Sequence, residues 1–287
     1  MNLEKKGNEV AQSLKNITAK NKEKTYNELR VIVAIERVVA RLEAESELAE
    51  HLVFKGGFVL LKKIETPRFT KDLDALALGL PKQRILSLVQ RAIDRDLGDG
   101  LWYGKIMIEE LRHVPYPGIR FRIPFQIGTP PKTLTGLNKL TQIHIDIVVG
   151  APDETFPAQQ EVMPSILGKS SSVSWLIYPP EYIFSEKLET LVSRGSSNSR
   201  AKDIYDLVQI FPMCHDQSRL VMAMKTTFSE RKTQLPPSFY EAVFRFDVSA
   251  LKRAWPNVGK SVSGLNFSEA WDALLQMLKK LDLLGPK

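Results

Sequence analysis

One cysteine, Cys214, occurs in 287 residues. An internal disulfide is therefore excluded, and the scarcity fits a reducing, cytoplasmic setting. Histidine is also rare: His51, His113, His144 and His215 are scattered without metal-ligand spacing. CxxC, HExxH and GxGxxG are all missing, which removes the common zinc, thiol-redox and dinucleotide signatures. No apolar run approaches the roughly 20 residues of a membrane helix. The opening stretch MNLEKKGNEVAQSLKNITAKNKEK is basic but lacks the apolar core of a signal peptide. No internal repeat is visible.

What remains is ordinary soluble composition, 43% hydrophobic and 25% charged. The length fits one or two domains. A net charge of +7 and a pI near 9.3, spread over both halves, hint at a polyanionic partner. Many basic proteins bind no nucleic acid, so charge alone decides nothing.

The stretch FKGGFVLLKKIETPRFTKDLDALAL (54–78) organises the rest. A short apolar approach leads into Gly56-Gly57, a helical apolar patch follows, and strand alternation begins at Asp72. Asp72, Asp74, Leu76 and Leu78 share one face; Leu73, Ala75 and Ala77 share the other. Two same-face carboxylates repel unless a cation lies between them. Mg²⁺ suits that place, because it takes one or two carboxylates plus substrate phosphates. Gly56-Gly57 lets backbone N–H groups approach a phosphate at a helix start, and Lys55 adds charge. The alternative is a pair of solvated acids on an edge strand.

Helices are expected over 9–22, 24–45, 58–64 and 81–97, the last with Pro81 at its first position. Strands are expected over 69–78, 103–114, 118–127, 140–149 and 173–178, with 151–168 irregular. In the strand LTQIHIDIVV, His144, Asp146 and Val148 share a face, and Asp146 interrupts an otherwise buried pattern. After Pro179-Pro180 everything reads helical: 180–194, 200–211, 216–230, 237–254 and 267–284. The expected fold is α+β, a mixed sheet flanked by helices over 1–178, followed by an all-helical part over 179–287. The aromatics of that part sit mostly at helical core spacing.

Two charges lie on apolar helical faces. Lys187 falls between Phe184 and Leu191, and Asp203, with Arg200 one turn before it, extends the face of Ile204, Leu207 and Phe211. A lysine facing a core needs a partner or a ligand. Either Lys187 and Asp203 pair between helices, or both point at a nucleotide.

Together these motifs resemble the nucleotidyltransferase fold of the DNA polymerase β superfamily. More closely, LVFKGG (52–57), RFTKDLD (68–74), HIDIVVG (144–150), YPPEYIFSEKLETLV (178–192) and NSRAKDIYDL (198–207) resemble the AbiEii/AbiGii family, nucleotidyltransferase toxins of type IV abortive-infection toxin–antitoxin systems. The leader 13–42 is similar as well. The resemblance covers about residues 10–211.

It implies that Asp72 and Asp74 hold Mg²⁺ and the triphosphate, and that Gly56, Gly57, Lys55 and Thr70 bind phosphate. It implies that Lys187 and Arg200 contact the nucleotide and that Asp203 completes the catalytic set. The helical part would complete the cleft. The proton acceptor is either Asp146 or Asp203. The implied reaction moves a nucleotide from an NTP to RNA, foremost the 3′ acceptor end of tRNA, which blocks translation. A cognate antitoxin is the implied partner. The alternatives are a same-fold enzyme that modifies a protein or small molecule, and a non-catalytic NTP-binding module.

Overall fold

The computed structural model describes residues 2–20, 23–64, 68–111, 117–150, 158–259, 262 and 264–285. Two compact units emerge: Met1–Lys62 with Phe69–Ile177, and Lys63–Arg68 with Tyr178–Lys287.

In the first unit, helices α1 (Leu3–Lys20), α2 (Tyr26–Glu43), α3 (Ser46–Ala49), α4 (Gly56–Lys63), α5 (Lys82–Asp94) and α6 (Leu134–Asn138) accompany eight strands. These are β1 (Leu52–Lys55), β2 (Asp72–Ala77), β3 (Leu101–Tyr103), β4 (Met107–Leu111), β5 (Gly118–Ile127), β6 (Gln142–Val149), β7 (Gln159–Met163) and β8 (Val173–Ile177). They form one mixed sheet of order β3-β5-β6-β2-β1-β8-β7, with β4 also pairing with β5. The central pairs β2–β6 and β1–β8 are parallel; β1–β2 and β5–β6 are antiparallel.

One face of the sheet is apolar. Leu73, Ala75, Ile143, Ile145, Ile147, Ile119, Phe121, Ile123 and Phe125 are wholly buried. Helix α2 packs on β6 and β8. It starts at Tyr26 because Thr25 caps it: Glu28 N–H donates to Thr25 Oγ1 at 3.2 Å and Thr25 N–H donates to Glu28 Oε2 at 2.7 Å. Such a cap contributes about 1 kcal/mol. Helix α1 starts earlier than expected, at Leu3, where Asn2 Oδ1 accepts the Glu4 N–H at 3.0 Å. Gly7 lets α1 lie directly on Gly128, where any side chain at position 7 would strike backbone.

Buried charges here are paired. Glu36 on α2 accepts from Lys62 of α4, from Ser165 Oγ at 2.6 Å and from Ile166 N–H at 3.1 Å. This ties the chain after β7 to two helices. Arg37 and Arg41 both grip Asp99, at 2.9 and 2.6 Å, fixing the loop before β3.

Two expectations need correction. Residues 103–111 do not form one strand: β3 ends at Tyr103 and β4 begins at Met107. Gly104 breaks the run, giving its N–H to Pro124 O at 2.8 Å. The end of that expected strand, 112–114, lies outside the described residues. Part of the stretch expected to be irregular is strand β7, antiparallel to β8. Its residues, QQEVM, bury only Met163, so the sequence carried no alternation signal.

The second unit is helical: α7 (Pro180–Arg194), α8 (Ala201–Ile210), α9 (Gln217–Glu230), α10 (Phe239–Phe244), α11 (Ser249–Ala254), α12 (Pro256–Gly259) and α13 (Phe267–Leu283). Helix α7 packs against α8 and α9, and α13 against α8 and α10. The expected helix 237–254 is divided. Asp247 Oδ1 accepts Ser249 N–H at 2.9 Å and Ser249 Oγ–H at 2.6 Å, which restarts the chain as α11. Asp282 on α13 accepts the N–H groups of Phe239 and Tyr240 at 2.8 and 3.1 Å and so caps α10.

Candidate active site

Strand β2 carries the acidic pair. Cross-strand register places Lys55 (β1), Asp74 (β2), Asp146 (β6) and Arg120 (β5) in one row on the polar face. Asp72, His144 and Arg122 form the next row. In the first row the two acids are neighbours and each has a cation on its outer side, Lys55 beside Asp74 and Arg120 beside Asp146, which offsets the repulsion between them.

Asp72 is half-buried, its side chain 36% exposed, and Oδ1 lies 2.9 Å from His144 Nδ1. Thr70 is buried and its hydroxyl is spent locally, accepting Asp72 N–H at 3.3 Å. That contact fixes the entry into β2. Gly56 opens α4 with φ +74°, a conformation that favours glycine. Its missing side chain leaves room for the Asp74 carboxylate, which packs against the Gly56 backbone. The start of α4 thus combines a side-chain-free turn with the positive end of a helix.

Asp146 gives both oxygens to Arg120: Nε to Oδ1 at 2.7 Å and Nη2 to Oδ2 at 2.6 Å. That bond raises the Arg120 guanidinium above its ordinary value. Among the described residues no group of three or more His, Cys, Asp or Glu side chains is arranged to hold a metal ion. The donor set left on β2 is two hard carboxylates on adjacent same-face positions, which fits Mg²⁺ completed by phosphate oxygens and water.

In the helical unit, Lys187 is buried and bridges two acids, Asp203 at 2.9 Å and Asp206 at 2.7 Å. Arg200 Nε donates to the other oxygen of Asp203 at 2.7 Å, and Arg68 Nε to Asp206 at 2.8 Å. Burial works against the Lys187 ammonium, but Asp203 and Asp206 outweigh it and raise its pKa. Burial likewise opposes the Asp203 carboxylate; Lys187 and Arg200 overcome it and hold Asp203 well below the usual carboxylate range. Lys202 is lowered, first by burial and then by the neighbouring cations Arg200, Lys187 and Arg68.

The expected site residues thus fall into two groups, each assembled within its own unit. Lys55, Gly56, Gly57, Thr70, Asp72, Asp74 and Asp146 belong to the sheet; Lys187, Arg200 and Asp203 belong to the helices. Of the two readings left open for Lys187 and Asp203, the contact between helices is present. Sequence reasoning passed over His144 and Arg120. Their signal was register: each lies on a strand whose alternation puts it beside an acid of the same face.

A mixed sheet with an acidic pair at its second strand, a Gly-Gly helix start beside it and a helical second part define a nucleotidyltransferase. The fold is shared with the crystal structure of JHP933 from Helicobacter pylori, at TM-score 0.52 and 16% identity over 88% of this chain and 92% of that one. A second structure from H. pylori gives 0.46 and 16% over 87% and 95%. An antigenic nucleotidyltransferase-like protein from Paracoccidioides brasiliensis gives 0.36 and 15% over 72% and 89%. The chain belongs to the AbiEii family: residues 37–282 match the family described as "Nucleotidyl transferase AbiEii toxin, Type IV TA system". That membership implies an NTP substrate and an antitoxin partner. No curated protein sequence matches the chain. Among the described residues, no helix is long and apolar enough to cross a membrane.

Proposed function

We propose that this toxin transfers a nucleotide from an NTP to RNA in the cytoplasm, with the 3′ acceptor end of tRNA as its target and Mg²⁺ as its cofactor. The observation that carries the reading is the polar face of β2, which Asp72 and Asp74 share, with Asp74 packed against the glycine start of α4.

Asp72 and Asp74 would hold the divalent cation. A cation held there would neutralise triphosphate charge, the condition under which an acceptor hydroxyl displaces pyrophosphate from the α-phosphorus. Asp72 is oriented for this by His144 and by Thr70, which anchors the strand entry. Thr70 acts through that anchor, since its hydroxyl is bonded to the Asp72 backbone. Backbone N–H groups of Gly56 and Gly57, with the ammonium of Lys55, bind phosphate oxygens. Arg200, 40% exposed along its side chain, is the cation of the helical cluster best able to offer N–H groups to a nucleotide. Lys187 adds buried charge to that cluster, and Asp203 anchors both cations. A carboxylate held as low as Asp203 is a poor proton acceptor. Asp146, opposite Asp74 in the strand register, is the acid we assign to the sheet site. The basic charge of the whole chain favours an RNA acceptor.

The test is incubation of the purified protein with total tRNA, Mg²⁺ and each labelled NTP in turn, beside Asp72→Ala. Label entering tRNA from one NTP and lost in the variant is the expected result. Label on protein, or none on RNA with any nucleotide, would overturn the tRNA assignment.

A further inference from the structure

Asp146 stands between two neighbours that draw it in opposite directions. Asp74 faces it across the β2–β6 pair, and Arg120 faces it across the β5–β6 pair. Like charges opposite each other on adjacent strands repel, and a cation between them would pull Asp146 toward Asp74. Arg120 competes from the other side with a side-on bidentate bond, which occupies both carboxylate oxygens at 2.7 and 2.6 Å. The acid is only 14% exposed, so water screens this pair weakly. Across β4 the residue opposite Arg120 is Glu109, which Arg122 bonds at 2.9 Å and whose pull on Arg120 is weaker than that of Asp146.

We propose that Arg120 is a positioning residue that withholds Asp146 from the Asp72–Asp74 cation site in the substrate-free protein, leaving that site two carboxylates. The inference rests on the reading that Asp72 and Asp74 hold a divalent cation. Its consequence is a site that binds metal weakly alone and gains affinity when phosphate oxygens arrive with the nucleotide.

The experiment is titration of the full chain with Mn²⁺ alone, followed by the electron paramagnetic resonance signal of free Mn²⁺, with folding checked by circular dichroism. Arg120→Gln frees a third carboxylate and should tighten Mn²⁺ binding about tenfold, as added ligand charge does. Asp146→Asn should match the wild type, because Asp146 is not a ligand there. The double variant should return to the wild-type value, a non-additivity that simple removal of a positive charge does not give. If Arg120→Gln does not fold, Arg120→Lys, which holds the acid by one contact in place of two, should tighten binding by a smaller factor. Unchanged or weaker binding in the folded Arg120 variants overturns the inference, as does an Asp146→Asn variant that binds several-fold more weakly. Asp72→Asn separates the two ideas. If it abolishes binding while Arg120→Gln changes nothing, only the role of Arg120 falls. If it binds like the wild type, the cation site itself is wrong and the inference falls with it.

Discussion

The Asp74 carboxylate fills the space that a side chain at position 56 would need: a Cβ on Gly56 would lie 3.0 Å from Asp74 Cγ and still nearer Oδ2. Position 56 thus requires glycine twice over, for its φ of +74° and for the acid that packs on it. A strained backbone there costs about 1–3 kcal/mol, and the displaced carboxylate would leave the proposed cation site. Gly56→Ala is expected to lower the melting temperature and to lose nucleotidyl transfer. Gly57→Ala, where φ is not positive, should be milder in both respects. Paired thermal melts and transfer assays check the contrast; equal behaviour of the two variants would contradict it.

Asp72→Ala should abolish transfer, by about a hundredfold or more if Asp72 contacts the transition-state charge through metal, and should release growth arrest. The residue is half-exposed and its partner His144 is itself mostly buried. The fold should therefore survive, with a melting temperature within a few degrees of the wild type. Growth arrest by a folded Asp72→Ala protein would refute the catalytic assignment.

Lys187→Met should be costly for a different reason. It leaves Asp206 with Arg68, and Asp203 with Arg200, each having lost its buried ammonium. Removing one partner from such a cluster costs about 3–5 kcal/mol. Denaturant melts should show this before any activity is measured. A stability equal to the wild type would mean that Lys187 is not held between these acids.

Stability should also depend on pH through Glu43. Burial alone pushes its carboxyl up to about 8, and Oε1 has no hydrogen-bond partner among the described residues. The native state then keeps a proton that the unfolded chain loses near its ordinary value, about 4.3. The native state binds more protons over that window, so this contribution to stability falls as pH rises from about 4.5 to 8. Glu43→Gln should flatten the slope between those limits. Asp203 works in the opposite sense and at lower pH: its depressed value adds stability above the ordinary aspartate range, and that is lost on acidification. Melting temperatures across pH 3–9 for both proteins, on the order of ten points, separate the two effects.

Much of this was legible before any coordinates. Strand periodicity placed Asp72 and Asp74 on one face because alternation is a property of the backbone itself. Lys187 stood out because a charge in an apolar helical stripe violates burial preferences, and its partner one helix on was identifiable by the same rule. Thr70, expected at phosphate, also closes a local bond to Asp72 through its hydroxyl, a short-range contact that no sequence pattern announces. Arg120 was hidden because its significance depends on which strand lies beside β6. Strand neighbours are set by topology, which local sequence does not encode. Strand β7 escaped because its pairing with β8 is not marked by buried alternation.

The parallel pairing of β2 with β6 brings together residues 72 positions apart, Asp72 and His144. No local segment can nucleate that contact, so it forms late and slowly compared with the helices around it. A nascent chain emerging from the ribosome has no assembled acidic face until β6 has been translated and zipped onto β2. Fragments ended before residue 142 by premature termination or proteolysis would carry Asp72 and Asp74 without the strand that completes their surroundings.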